Sequence, residues 1–314
     1  MKVLFTFRVK TSFREKITEQ YPHVEFMYTT SIEEVSLEDV DVIATEGEDL
    51  TPEIIARANA LKWVMLAAVG VDTLPLEALQ EKGVIVTNSR GVHKMPLAES
   101  VLAHLLSLER GLPGIYQRQV EKRWKLDAIP GEVNGSTALV VGTGEIGGEI
   151  GRLLQAFNVH TIGCNRSGRK CASMNETISF PEIMGKLPEV DYVISVLPST
   201  PDTRWIYQPE HFEAMKNSAI FINVGRGDAV KEQIIIDALQ NNEIRHAVLD
   251  VFETEPLADS SLLWELPNCT VSPHMSSLSD QYIKRSLGIM ETNLAKWLAG
   301  DKELVNKVDL SKGY

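Results

Sequence analysis

Three polar residues in the C-terminal half of the chain, Arg226, Glu255 and His274, have the side chains needed for acid–base chemistry on a small carboxylic acid. A guanidinium group binds a carboxylate through two parallel hydrogen bonds and polarises an adjacent carbonyl oxygen. A histidine can protonate that oxygen while a hydride adds to the carbon. A carboxylate behind the imidazole fixes its tautomer. We therefore predict that Arg226 binds the substrate, that His274 is the general acid and base, and that Glu255 supports His274.

Each of these residues comes shortly after a predicted β-strand. The apolar runs that precede them, residues 219–224, 246–251 and 270–272, predict three strands. Because ligands bind outside the carboxyl ends of parallel strands, the three side chains are expected to converge on one crevice. Asp250, at the end of the second run, is expected to accept a hydrogen bond from the carboxamide of a nicotinamide ring. Taken singly, each residue also suits an ordinary surface loop, so the prediction depends on their joint occurrence.

A glycine-rich motif follows another predicted strand and opens an amphipathic helix. Residues 142–147 have the sequence Gly-Thr-Gly-Glu-Ile-Gly, which is the G-x-G-x-x-G pattern. Gly142 permits a tight turn, Gly144 lets a pyrophosphate approach the backbone, and Gly147 lets the helix pack closely on the strand. The phosphates then face the positive end of the helix. Ordinary turns also use glycine, but the strand before this motif and the helix after it favour dinucleotide binding.

The residues that end the next predicted strand favour NADP(H) over NAD(H). NAD-binding proteins usually place an acidic residue about 20 residues after the glycines, where it accepts hydrogen bonds from the ribose. Here that position is Asn165, and Arg166 and Ser167 follow it. Asn165 does not repel a 2′-phosphate, Arg166 can pair with it, and Ser167 can donate its hydroxyl. Arg169 is a further candidate. A basic surface turn is the alternative interpretation, and use of NAD(H) is left open.

Alternating strands and helices predict the α/β fold class with two Rossmann-like domains. Residues 96–283 are assigned to a dinucleotide-binding domain with six strands in a doubly wound parallel sheet, and residues 1–95 with 284–314 to a smaller, flavodoxin-like substrate domain. A long helix predicted over Pro96–Gly111 has an apolar stripe, for which core packing is the first interpretation and a dimer interface the second. The six strands are predicted at 138–141, 160–164, 192–196, 219–224, 246–251 and 270–272.

Composition excludes several other classes of protein. The 314 residues carry a net charge of −12 and no block rich in Lys or Arg, so neither nucleic acid nor an anionic membrane surface is an expected partner. No apolar stretch approaches the roughly 20 residues that span a bilayer. The three cysteines, at 164, 171 and 269, have neither metal-ligand nor disulfide spacing. We expect a cytoplasmic protein without a metal site.

The sequence resembles the D-isomer-specific 2-hydroxyacid dehydrogenase family over nearly its whole length. The segments that carry the resemblance are Val69–Asp72, Asn88–Glu99, Gly142–Gly147, Leu197–Pro201, Asn223–Gly227, Leu249–Pro256 and Ser272–His274. The resemblance implies NAD(P)-dependent reduction of a small 2-oxo acid to a D-2-hydroxy acid, with the roles given above for Arg226, Glu255 and His274. It also implies that backbone groups of Val69 and Gly70 meet the substrate carboxylate. Family members are usually dimers through the nucleotide domain, so a homodimer is expected.

The cofactor-binding residues expected from the motifs and the resemblance come from loops at the ends of several strands. They are Gly142, Gly144, Glu145, Ile146, Gly147, Asn165, Arg166, Ser167, Leu197, Pro198, Thr203, Val224, Gly225, Asp250 and Ser276.

Two departures from the family pattern are noted. Asn165, Arg166 and Ser167 replace the common acidic residue, as in members similar to glyoxylate/hydroxypyruvate reductases. His93 and Lys94 stand where smaller polar residues are expected, and either could face the substrate or the surface.

The alternative to an enzyme is a dinucleotide-sensing regulatory protein of the same fold, since such proteins can retain the three polar residues. The substrate side chain and the direction of the reaction are left open.

Overall fold

The computed structural model describes residues 1–125 and 129–310. The strands found there are β1 (Lys2–Phe5), β2 (Glu25–Tyr28), β3 (Val42–Thr45), β4 (Trp63–Leu66), β5 (Ile85–Thr87), β6 (Thr137–Val141), β7 (His160–Asn165), β8 (Glu176–Ser179), β9 (Tyr192–Ser195), β10 (Ile220–Asn223), β11 (His246–Leu249) and β12 (Cys269–Val271). The α-helices are α1 (Thr11–Gln20), α2 (Pro52–Arg57), α3 (Leu76–Glu81), α4 (Lys94–Glu109), α5 (Leu112–Val120), α6 (Glu145–Ala156), α7 (Ile183–Lys186), α8 (Pro209–Ala214), α9 (Glu232–Gln240) and α10 (Tyr282–Leu298).

The chain divides into two compact units. One comprises Met1–Val92 with Ser279–Tyr314, and the other comprises His93–Leu278. The predicted boundaries, after residue 95 and before residue 284, lie three and five residues later in the chain. Residues 126–128 and 311–314, which fall within the two predicted domains, lie outside the described residues.

The first unit is built on a five-stranded parallel sheet with the order β2-β1-β3-β4-β5. This is the flavodoxin-like strand order. Its central strands are buried on both faces, because side chains such as Ile43 and Val64 enter one core while Phe5 and Trp63 enter the other. Helix α10 belongs to this unit, since its apolar residues lie in the second of these cores.

The second unit is built on a seven-stranded parallel sheet with the order β12-β11-β10-β9-β6-β7-β8. From β6 the chain first builds outward through β7 and β8, and then returns to add β9 to β12 on the other side. The sheet is doubly wound, as predicted. The order reverses between β6 and β9, and the loops after these two strands therefore flank a crevice at the carboxyl edge of the sheet.

The prediction of six strands for this sheet is wrong, because β8 pairs with β7 as a seventh strand at the edge. Its residues Glu176, Thr177 and Ser179 are polar, and only Ile178 is buried in the core. A four-residue strand with one apolar side chain has no periodicity that distinguishes it from a loop. The neighbouring segment is a 3₁₀ turn over Phe180–Glu182 followed by α7.

The apolar stripe of α4 packs inside the second unit, which is the first of the two interpretations offered for it. Leu97, Val101 and Leu105 are buried in one core with Ile150 and Leu154 of α6. The helix that opens with the glycine motif is therefore held in place by α4.

The described residues include no helix long and apolar enough to cross a membrane. Within the same ranges no group of three or more His, Cys, Asp or Glu side chains is placed to hold a metal ion.

Cys164 is buried, and burial raises the pKa of its thiol to about 12, so this side chain serves as a small apolar residue at neutral pH. The expected cytoplasmic location stays a prediction.

Candidate active site

The strand order of the second unit places the predicted catalytic residues after three adjacent strands. Arg226 follows β10, Glu255 follows β11 and His274 follows β12, and these strands are paired side by side in parallel. The carboxyl ends of parallel strands lie at the same edge of a sheet. The sequence predicts only that each residue follows a strand. The sheet order shows that the three strands are neighbours.

Glu255 and His274 form a hydrogen-bonded pair. His274 Nδ1 lies 2.7 Å from Glu255 Oε2, and the other carboxylate oxygen, Oε1, accepts a hydrogen bond of 3.0 Å from the backbone N–H of Phe252. Both side chains remain partly exposed. Because Glu255 engages Nδ1 and is itself fixed by the backbone, the imidazole has a defined orientation with Nε2 left for proton transfer.

Asp250 fixes the segment that carries His274. The Asp250 carboxylate is 1% exposed, and its Oδ1 accepts hydrogen bonds from Ser272 Oγ at 2.6 Å and from Met275 N at 2.9 Å. Its Oδ2 accepts one from Ser276 N at 3.0 Å. His274 lies between these anchors with φ +51°, in the left-handed region that residues other than glycine rarely adopt. The Asp250 carboxylate, which was expected to meet a nicotinamide carboxamide, therefore holds the His274 segment in this conformation.

Arg226 extends from a tight turn with an exposed side chain. Asn223 Nδ2 donates to the carbonyl of Arg226 at 3.0 Å and Asn223 Oδ1 accepts from Gly225 N at 3.2 Å, so the buried Asn223 closes the turn from both sides. A Cβ on Gly227 would overlap the backbone of Phe252, the residue whose N–H holds Glu255. Glycine at this position therefore lets the Arg226 turn and the Glu255 loop approach each other.

The glycine motif forms the close crossing that a dinucleotide fold requires. Gly142 has φ +107°, and a Cβ there would lie 2.7 Å from the carbonyl oxygen of Val196 after β9. A Cβ on Gly147 would overlap the carbonyl oxygen of Gly142, whereas a Cβ on Gly144 would meet no atom within 4 Å. Gly144 is also the N-cap of α6 and offers no side chain to its first N–H groups. Open space beside Gly144 and N–H groups without a side-chain cap fit the binding of a pyrophosphate.

Asn165 organises the turn after β7 and joins it to the glycine motif. Its Oδ1 accepts from the N–H groups of Ser167 at 3.2 Å and Arg169 at 3.0 Å. Its Nδ2 donates to Thr143 Oγ1 at 2.9 Å and to the carbonyl of Arg169 at 2.8 Å. An aspartate at this position would lack the two donated hydrogen bonds. The sequence pattern alone did not indicate this structural role for the amide.

Arg166 forms an ion pair with Asp202, a residue that sequence analysis missed. Both side chains are largely exposed, at 72% and 56%. Asp202 lies in the loop after β9, across the switch point from the turn that carries Arg166. No local signal distinguishes Asp202 from any other loop carboxylate.

The other predicted cofactor residues differ in their exposure to solvent. Pro198, Glu145 and Ser167 are exposed, while Leu197, Thr203, Val224, Gly225 and Ser276 are buried. Thr203 Oγ1 donates to the Pro198 carbonyl at 2.5 Å and accepts from Thr200 N at 2.9 Å, so it shapes its own loop. Ile146 and Gly142 are partly buried.

The predicted substrate residues Val69 and Gly70 lie in the first unit, after β4. The Val69 carbonyl accepts a hydrogen bond of 2.7 Å from Asn88 Nδ2, and the Asn88 carbonyl in turn accepts one of 3.2 Å from Asn306 Nδ2. Gly70 is exposed. The loop is thus held by side chains, with the backbone of Gly70 accessible.

A cavity of about 420 Å³ adjoins the pair of Glu255 and His274. Apart from these two residues its walls are apolar: Phe252, Pro256, Leu257, Trp264, Val271 and Pro273. Leu257 and Trp264 were not singled out in the sequence, because only the fold brings their loop beside His274.

Known proteins resemble this chain over the part that contains these residues. The model of the D-isomer specific 2-hydroxyacid dehydrogenase NAD-binding domain matches residues 102–276, which include the glycine motif and all three polar residues. The chain belongs to the D-isomer specific 2-hydroxyacid dehydrogenase family. It is therefore an NAD(P)-dependent oxidoreductase that transfers hydride on 2-hydroxy acids, and its cofactor is a nicotinamide dinucleotide.

Three similar dehydrogenases of this family illustrate the match. Glyoxylate/hydroxypyruvate reductase B of Klebsiella pneumoniae is 31% identical over 82% of this chain and 81% of that protein. A D-isomer specific 2-hydroxyacid dehydrogenase family protein of Aeromonas salmonicida has a TM-score of 0.81 and 30% identity, covering 98% of this chain and 99% of that one. The enzyme of Xanthobacter autotrophicus, solved with NADPH and MES, has a TM-score of 0.75 and 26% identity, covering 100% and 99%.

The chain also matches two longer D-3-phosphoglycerate dehydrogenases, from Methanocaldococcus jannaschii and Mycobacterium bovis, of which it spans 55% and 47% of the length.

The dehydrogenase's glycine motif supplies a matched pair of test substitutions. Gly147→Ala would place a methyl group on the Gly142 carbonyl oxygen, whereas Gly148→Ala would place one in ordinary contact with Ser173, 3.7 Å from its Oγ. We expect G147A to weaken dinucleotide binding at least tenfold, because the phosphate loop must shift. G148A should bind normally and gain up to about 1 kcal/mol of stability from alanine in a helix. Quenching of protein fluorescence by NADPH measures the first effect and thermal unfolding the second. Equal dissociation constants for the two variants would contradict the assignment.

Proposed function

We propose that this chain reduces a small 2-oxo acid to the D-2-hydroxy acid with NADP(H), using Arg226, Glu255 and His274. The observation that carries the proposal is the hydrogen bond of 2.7 Å between His274 Nδ1 and Glu255 Oε2 at the carboxyl edge of the sheet. An imidazole held this way can exchange a proton with a substrate oxygen through Nε2. The bound dinucleotide supplies or accepts the hydride.

The roles of the three residues follow from their surroundings. The exposed guanidinium of Arg226 binds the substrate carboxylate and polarises the neighbouring carbonyl oxygen. His274 donates a proton to this oxygen during reduction and removes it during oxidation. Glu255 stabilises the imidazolium form of His274, and the Phe252 N–H keeps Glu255 in place. The apolar cavity beside the pair, with Leu257 and Trp264 in its wall, accommodates the substrate side chain.

The first unit acts as the substrate domain in this proposal. The accessible backbone of Gly70, next to the fixed Val69 carbonyl, offers an N–H group to the substrate carboxylate. The proposal keeps the two predicted domains, in which residues 1–95 with 284–314 bind the substrate and residues 96–283 bind the dinucleotide.

A dinucleotide-sensing regulatory protein is the second candidate function. Its specific support is the phosphate loop, which would bind a dinucleotide whether or not the polar residues catalyse a reaction. NADPH oxidation measured with glyoxylate, hydroxypyruvate, pyruvate and longer 2-oxo acids separates the two candidates. Binding of NADPH without turnover on any of these acids would favour the sensor.

His274→Ala should lower kcat by roughly 10²–10⁴, because the general acid is lost. The matched control is His160→Ala, since His160 is an exposed residue at the opposite, amino-terminal end of β7. The measurement is steady-state NADPH oxidation with the best acid of the panel. Near-normal kcat in H274A would remove His274 from its role.

The preference for NADP(H) is proposed from the turn after β7. Arg166 is exposed and its present partner, Asp202, is itself largely solvated, so the ion pair contributes little and can give way to a 2′-phosphate. The amide of Asn165 forms hydrogen bonds within the turn and with Thr143. Because it is uncharged, it does not repel a 2′-phosphate bound beside it. The dehydrogenase of Xanthobacter autotrophicus, solved with NADPH, is consistent with this preference.

Arg166→Ala should raise the KM for NADPH about tenfold and leave that for NADH unchanged, since a hydrogen bond to a charged group contributes roughly 1.5–3 kcal/mol. Asp202→Asn is the complementary variant, and it should lower the KM for NADPH two- to threefold by freeing Arg166. Both values come from initial rates with each dinucleotide. If R166A changed the two KM values equally, or if wild type preferred NADH, the assignment of Arg166 would be wrong.

We also propose that the protein is a homodimer that uses the α5 surface. Ile115, Tyr116 and Val120 on this helix and Trp124 after it are exposed apolar side chains, with Val120 at 80%. Several large apolar side chains exposed on one short segment favour an interaction site there. The stripe of α4 is unavailable for this purpose, because α6 covers it.

Val120→Asp should convert the dimer to a monomer at micromolar concentration, because a carboxylate would be buried in the apolar contact. Since Val120 is exposed in the single chain, the thermal midpoint of the monomer should change little. Val305→Asp, at an exposed apolar residue of the first unit, is the control. Light scattering coupled to size exclusion gives the mass, and a wild-type monomer would contradict the proposal.

A further inference from the structure

One face of α4 carries polar residues directed at the segment that follows His274. His93 Nδ1 lies 3.2 Å from the carbonyl oxygen of Ser277, and Ser100 Oγ donates to the carbonyl of Ser276 at 3.4 Å. The spacing of seven residues places the two side chains on the same face of a helix. His93 is the N-cap of α4 and already has helical backbone angles, so it belongs to this face.

We propose that His93 is a positioning residue for the catalytic histidine: it fixes the Ser276–Ser277 segment and thereby the orientation of His274. This proposal rests on the function proposed above for His274. It concerns the contact between His93 and Ser277, and it assigns His93 no direct contact with substrate.

The conformation of the His274 segment explains why it needs a second anchor. His274 has φ +51°, which costs free energy for a residue with a side chain and persists only where the surroundings impose it. Asp250 holds the N–H groups of Met275 and Ser276 from the side of β11. The α4 residues hold carbonyl groups of the same segment, and no hydrogen bond to Asp250 can do this because a carboxylate accepts only.

Burial keeps His93 in the state that this contact needs. Half-burial lowers the pKa of His93, so the ring is neutral at neutral pH and donates through a single nitrogen. The hydrogen bond to the Ser277 carbonyl requires that nitrogen to be Nδ1. The Ser277 carbonyl thus selects the tautomer of His93 as Glu255 selects that of His274.

Helix α4 is a suitable support because its other residues are rigidly packed. Leu97, Val101 and Leu105 are buried against α6, the helix that begins at the phosphate loop. The same helix therefore packs against the helix of the dinucleotide motif and also contacts the segment after His274.

Two substitutions separate hydrogen bonding by His93 from its bulk. His93→Leu retains much of the volume and removes the donor, whereas His93→Asn keeps a donor, Nδ2, near the position of Nδ1. We expect H93L to lower kcat about tenfold with the KM for NADPH within twofold of wild type, since misplacement of a catalytic group reduces the rate of the chemical step. H93N should recover most of kcat. His160→Leu is the control for loss of an exposed histidine in the same unit.

Coupling to His274 distinguishes positioning from general destabilisation. In the His274→Ala background, H93L should cause no further loss of kcat, because its effect acts through the absent imidazole. An additional tenfold loss in the double variant, or an equal loss in H93N and H93L, would overturn the proposal.

A readout without turnover keeps this test independent of the proposed function. The protein has seven histidines, so the His274 ring signal can be assigned in NMR spectra as the one lost in H274A. We expect this signal to shift or broaden in H93L and to match wild type in H93N and H160L. An unchanged His274 signal in H93L would overturn the positioning role. Failure of wild type to turn over any 2-oxo acid would instead reject the proposed function, while the NMR result would still decide the role of His93.

Discussion

The hydrogen bonds accepted by the Asp250 carboxylate hold the rest of the site in place. A buried carboxylate must be satisfied by donors, and here the donors are Ser272 Oγ and the N–H groups of Met275 and Ser276. Satisfying Asp250 therefore bends the segment after β12 around the end of β11. His274 is carried at the bend in a left-handed conformation, with Nδ1 against Glu255. The need to satisfy one buried carboxylate thus positions His274, the proposed general acid and base.

A second constraint is the close approach of loops where the strand order reverses. Gly142 lies against the chain after β9, Gly225 lies against Leu197, and Gly227 lies against Phe252. Side chains at these positions would separate the loops that carry the phosphate site, Arg226 and Glu255. The glycines therefore serve a single purpose, which is to let the carboxyl ends of β6, β9, β10 and β11 meet within the reach of one ligand.

The turn after β7 shows how one position combines a structural and a functional requirement. Asn165 closes the turn with both atoms of its amide and joins it to Thr143 of the glycine motif. The same amide carries no charge, and Arg166 pairs with Asp202 on the neighbouring loop. An acidic residue at 165 would bind ribose hydroxyls but would remove the two donated hydrogen bonds. In the proposed function, cofactor choice and loop geometry are therefore coupled at this residue.

The sequence by itself determined the fold class, the phosphate motif and the strand-terminal positions of Arg226, Glu255 and His274, because these depend on local periodicity and on glycine at fixed offsets. Strand β8 was not predicted, because its single buried apolar residue, Ile178, gives no alternation of apolar and polar residues. Only the tertiary structure decided that β10, β11 and β12 are neighbours, that Asp250 anchors the His274 segment, and that Asp202 meets Arg166. These contacts join residues far apart in the chain, and their partners are chosen by sheet order and by the burial of polar groups, neither of which is encoded in a local pattern.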